Sequence, residues 1–191
     1  METIIEKAIS YIEELFRGNS DGHDAAHTLR VYHNASDLLD HYPQADRQKV
    51  LLAALLHDVD DEKLFQTENY ANARNFLKEN NIDEEEIEEI CAIIDSVSFH
   101  KNRGKRAESL EAEIVRDADL LDALGAVGIA RTFAYGGRKG RPMQESITHF
   151  HEKLLLLKEE MVLPEAREEA ERRHGYMLKF LEEYQKETNG R

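Results

Sequence analysis

Apolar residues recur along this chain at steps of three and four, the period of a helix buried on one face, and nowhere alternate at the period of two that marks a strand. Ile4, Ile5, Ala8, Ile9, Ile12 and Leu15 predict an amphipathic helix over residues 2–16, ended by Gly18 and Asn19. In DGHDAAHTLRVYHNASDLLDHY, His27, Val31, Ala35 and Leu38 share one face, so His27 points inward, and Pro43 breaks the pattern. Residues 46–58 stand apart. Their run VLLAALL, residues 50–56, predicts a helix buried nearly all round that delivers His57 and Asp58, side by side, to its end.

The pattern continues in helices. Residues 68–80 place Tyr70, Ala73, Phe76 and Leu77 inward; Asp83 is a good N-cap for EEEIEEICAIIDSV, whose stripe is Ile87, Ile90, Cys91 and Ile94 and which ends near Phe99. Residues 110–124 turn Ile114, Val115, Ala118 and Leu121 inward, with Gly125, Ala126 and Gly128 allowing a close turn after them. HKNRGKRAES and YGGRKGRP read as basic loops, and long helices over 144–161 and 164–183 complete the pattern, Pro164 sitting in a first turn. The expectation is an all-α fold: one compact multi-helix domain over residues 1–191.

Composition narrows the partners. A formal charge of -14 argues against an extended nucleic-acid surface or an anionic membrane, while leaving room for a local basic pocket. The single cysteine, Cys91, leaves no internal disulfide, no early run has the layout of a leader, and the longest apolar runs fall far short of the roughly 20 residues that span a bilayer. A cytoplasmic protein is expected. The C-terminal helices are read either as core or as the surface of a homodimer.

An imidazole and a carboxylate leaving a buried helix need partners, because an unpaired charge there is costly. A metal ion suits both: neighbours on a helix diverge by roughly 100°, yet two side chains can meet at an ion beyond its surface. His27 is a further candidate, with a hydrogen-bonded core histidine as the competing reading. Asp117, Asp119 and Asp122 compete for the next position, and helical phase favours Asp122 as the most inward.

The pattern HxxRV around His27, then ALLHDVDD, then RDADLLDALGAVGIARTF resembles the HD-domain superfamily of metal-dependent phosphohydrolases, over residues from about 22 to 133. The resemblance implies metal ligands at His27, His57, Asp58 and Asp119, with Asp122 supporting them from behind. It implies one divalent transition metal ion, of which Mn, Fe, Co, Ni and Zn all suit such donors. A second metal is not expected, since relatives with two draw on extra histidines between the HD pair and the final Asp, where this chain has His100 alone. His23, His33 and His100 are spare candidates.

An ion so held implies hydrolysis of a phosphoester. Asp58 counts among the catalytic candidates, and Asp61, one turn beyond His57, is a candidate general base, against the reading of a solvated helix-end acid beside Asp60 and Glu62. Arg30, His100, Lys101, Arg103 and Lys105 (with Arg106 and Lys63 nearby), and Arg138 and Arg141 (with Lys139), are candidates for holding phosphate, against the reading of solvated charged loops; the glycines around Arg138 suggest a lid. The expected activity is cleavage of a small phosphorylated metabolite, a nucleotide being the favoured class. The alternatives are a non-catalytic module binding phosphate or nucleotide, and a diiron oxygenase.

Overall fold

The computed structural model of the chain describes residues 2–18, 24–62, 64–97 and 107–188, and all regular structure among them is helical. The helices are α1 (Ile4–Leu15), α2 (Ala25–Leu39), α3 (Arg47–Leu56), α4 (Ala71–Glu79), α5 (Glu84–Val97), α6 (Leu110–Asp122), α7 (Gly125–Arg138), α8 (Met143–Glu152), a 3-10 segment (Leu154–Glu160) and α9 (Pro164–Thr188). Among the described residues, no helix is long and apolar enough to cross a membrane. Two compact units emerge, Met1–Asp119 and Leu120–Arg191.

In the first unit, α3 is the centre, packed against α1, α2 and α5. Every residue of its 50–56 run is buried, and each large side chain so removed from water contributes about 1.5–3 kcal/mol. The carboxylate of Asp46 starts the helix by accepting the Lys49 backbone N–H at 3.1 Å. The helix ends with its apolar run and short of the expected residue 58: Leu56 is its last residue, His57 is the C-cap, and Asp58 lies in the turn beyond. Asp83 caps α5 as expected, accepting the Glu86 N–H at 2.9 Å. α5 is described only as far as Val97, so the expected end near Phe99 lies outside the described residues.

The second unit departs from expectation twice. YGGR, read as the start of a basic loop with the freedom of a lid, is instead the last turn of α7, which runs to Arg138. Its Gly136 is buried, and a Cβ there would stand 2.5 Å from the Ser146 hydroxyl; the glycine serves close packing of α7 on α8 rather than motion. The helix expected over 144–161 breaks at Lys153, where φ of -136° and ψ of -60° leave the helical region, and resumes as the 3-10 segment. Phe150, fully buried, is ringed by Phe133 and Phe180 at centroid distances of 5.9 Å each.

Candidate metal centre

His27 lies in the first turn of α2 because Asp24 begins that helix. Its carboxylate accepts the His27 backbone N–H at 2.7 Å, fixing the residue before its side chain makes any contact. His57 closes α3, and its Nδ1 lies 2.8 Å from the Ala54 carbonyl. A carbonyl only accepts, so Nδ1 carries the proton and Nε2 presents its lone pair, the tautomer a metal requires. Asp119 projects from the last turn of α6. One residue earlier, the Ala118 carbonyl accepts from Asn34 Nδ2 at 3.0 Å, tying α6 to α2.

These side chains converge. The two Nε2 atoms are 3.4 Å apart, and Asp119 Oδ1 stands 3.4 Å from His27 Nε2 and 4.0 Å from His57 Nε2. Asp58 Oδ2 approaches the same nitrogens at 3.4 and 3.5 Å. His27, His57 and Asp119 each give one atom within 4.8 Å of the others, and Asp58 Oδ2 stands beside both imidazoles. Ligands about 2.1 Å from a common ion stand roughly 3.0–3.4 Å apart at right-angled or tetrahedral positions and about 4.2 Å apart when opposed. The measured separations fall between those limits. Carboxylate oxygens and imidazole lone pairs are the donors divalent transition metals take, so the set fits a divalent cation.

The acids of α6 differ in position. Asp122, as helical phase suggested, is the buried one at 1% exposure, but its carboxylate pairs with Arg131. Asp117 is buried as well. Asp119, with 26% of its side chain exposed, is the one that meets the histidines. An inward ranking measures distance from water, whereas a site that must admit a substrate sits at the boundary.

The remaining candidates fall in several places. Arg30 is half-buried on α2, one turn after His27, and Asp61 is half-buried, its backbone N–H donating to the Asp58 carbonyl at 3.1 Å. Arg138 and Arg141 belong to the second unit; the guanidinium of Arg141 lies 5.5 Å from the centroid of exposed Tyr135, and Lys139 5.8 Å from the same ring. His33 is exposed, with its ring edge against Tyr32, and takes no part in the cluster. His23, Lys63, His100, Lys101, Arg103, Lys105 and Arg106 lie outside the described residues. A cleft of about 650 Å³ between α3, α5 and α6, lined by Lys49, Glu89, Asp95 and Arg116 among others, includes none of the four converging residues.

Asp24, Asn34 and the Ala54 carbonyl escaped the sequence reading. Of these only Asp24 carries a usable signal, an Asp three residues ahead of an inward-facing His at a helix start. A mid-helix Asn and a main-chain oxygen leave none.

An all-helical frame whose helices bring an adjacent His-Asp pair against a further His and Asp defines the class, and the chain belongs to the HD domain family, with residues 24–124 matching it. It is 37% identical to the uncharacterized protein YpgQ of Bacillus subtilis, over 97% of this chain and 94% of that one. The crystal structure of Bacillus subtilis YpgQ in complex with ADP superimposes with a TM-score of 0.84 at 34% identity, covering 98% of this chain and 96% of the other. An HD-superfamily hydrolase from Bacillus thuringiensis gives 0.80 at 39% identity, covering 98% and 97%. The fold is therefore that of HD-superfamily hydrolases.

Proposed function

We propose that this chain is a metal-dependent phosphohydrolase acting on a small phosphorylated metabolite, with nucleoside phosphates the favoured substrate class. The observation that carries the reading is the convergence of the His27, His57, Asp58 and Asp119 donor atoms at metal-ligand spacing. The ADP complex of YpgQ supports the choice of substrate class.

In this reading His27, His57, Asp58 and Asp119 hold one divalent ion. When bound, the ion supplies Lewis acidity toward a phosphoryl oxygen and lowers the pKa of a water it holds. Asp61, three residues past Asp58 in the turn after α3, serves as the acceptor of the proton that the attacking water gives up. Arg30 faces the phosphate oxygens from α2, where a guanidinium offers paired donors in the plane a phosphate presents. On sequence grounds His100, Lys101, Arg103 and Lys105 add the positive charge that two carboxylate ligands withhold. A chain of net charge -14 needs such local charge to attract an anion.

The test is turnover of a panel of phosphomonoesters, nucleoside mono-, di- and triphosphates and cyclic nucleotides by the metal-loaded protein. Turnover is expected with at least one, abolished by His57→Ala with Asp58→Ala. Asp61→Asn is expected to lower kcat by roughly 10²–10⁴-fold with metal content unchanged. Hydrolysis that survives the double substitution overturns the reading, and tight nucleotide binding without turnover replaces it with the non-catalytic one.

A further inference from the structure

Just beyond the converging residues the chain makes a second set of bonds that touches none of the donor atoms. Asp60 turns its carboxylate to the N-terminus of α4: Oδ1 accepts the backbone N–H of Asn72 at 3.0 Å and Oδ2 that of Ala73 at 3.0 Å. Asn72 answers, its Nδ2 donating to the Val59 carbonyl at 2.7 Å. Val59 is fully buried, so that carbonyl belongs to a residue with nowhere else to go. Three bonds thus fasten the dipeptide after Asp58 to the start of a different helix.

Helix α4 takes no side-chain cap from the residue that precedes it. The residue before it, Tyr70, sits in the left-handed region at φ 55° and makes no side-chain cap bond, and Asn69 precedes it at φ 54°. Such a backbone costs on the order of 1–3 kcal/mol for a residue as bulky as Tyr. Most helices are capped by a Ser, Thr, Asp or Asn in extended backbone just before the first turn, whereas α4 takes its cap from a carboxylate ten residues upstream of that position. What Asp60 adds, and a local cap would not, is a tie between α4 and the turn that carries Asp58.

The helix at the other end of that tie is well held. Phe76 and Leu77 bury its inner face, and Arg74 binds Glu88 of α5 through both terminal nitrogens, at 2.6 and 2.8 Å. Within the turn after α3, the Val59 N–H donates to the Leu56 carbonyl at 3.3 Å and the Asp61 N–H to the Asp58 carbonyl at 3.1 Å. Those bonds set the shape of the turn but not its direction.

We infer that Asp60 and Asn72 are positioning residues: together they anchor the turn after α3 to α4 and so fix where Asp58 Oδ2 stands relative to His27 and His57 Nε2. The inference rests on the metal-site reading above. It separates the neighbouring acids of HDVDD by task, Asp58 as ligand, Asp60 as anchor and Asp61 as proton acceptor.

The test is titration calorimetry on the full chain with whichever of Mn²⁺, Fe²⁺, Co²⁺, Ni²⁺ and Zn²⁺ the wild type binds most tightly, well below the melting temperature of every variant. Asn72→Ala and Asp60→Ala are each expected to weaken binding by roughly 10- to 100-fold, as loss of supporting bonds around metal ligands does. Asp83→Ala, which removes the equivalent cap from α5, is expected to lower Tm with metal affinity unchanged. Should Asp60→Ala fail to fold, Asn72→Ala leaves both capping bonds of α4 in place and carries the test alone. Unaltered affinity in Asn72→Ala, or equal weakening in Asp83→Ala, overturns the inference while the metal site stands. A wild type that binds no better than His57→Ala overturns the metal site, and the inference with it.

Discussion

Single residues set this site by what they accept and donate. The Ala54 carbonyl accepts a hydrogen bond from His57 Nδ1, and the Asp24 carboxylate accepts one from the His27 backbone N–H. A different constraint governs Gly128 of α7. A Cβ built there would collide with the carbonyl of Ala123, a backbone atom that cannot swing aside. Gly128→Ala is expected to destabilise the protein by about 1–3 kcal/mol, the usual cost of overpacking, read as a lower denaturant midpoint at unchanged m-value. An unchanged midpoint contradicts the packing described. At this scale the sequence was half legible. His57 and Asp58 announced themselves because polar residues ending a buried run must have partners. Asp119 did not, because helical phase ranks depth, and depth selected Asp122, which Arg131 occupies.

Among elements, α3 was the most legible, since seven buried residues in succession admit little else. The break at Lys153 was not, because nothing in the local sequence forbids helix there and tertiary packing chose otherwise. The 3-10 segment that follows packs against α9, where His174 is buried and its Nδ1 has no hydrogen-bond partner among the described residues. Burial holds this imidazole below its usual pKa of 6.5, helped by Lys158 of the 3-10 segment and opposed by Glu171 and Glu159. Above pH 6.5 the ring is neutral whether folded or unfolded, and its full contribution to stability is present. As pH falls below 6.5 the unfolded chain takes up a proton that the folded ring resists, so stability declines until the folded pKa is passed. The unfolding free energy is therefore expected to drop as pH falls below about 6.5 in wild type, and less steeply in His174→Gln. Parallel pH profiles contradict this.

At the scale of the whole molecule the charge balance and the helical period were legible from composition and pattern, and the HD domain family from three short motifs in the right order. The supports of the site were not, because Asp60 reaching Asn72 and Asn34 reaching Ala118 join parts of the chain that only folding brings together. The account turns on one claim, that four side chains from α2, the end of α3 and α6 hold a single divalent ion. Anomalous diffraction from crystals grown with Mn²⁺ tests it most directly. The account predicts one strong peak about 2.0–2.3 Å from His27 Nε2, His57 Nε2 and carboxylate oxygens of Asp58 and Asp119. A peak elsewhere, or none among these residues at saturating metal, would contradict it.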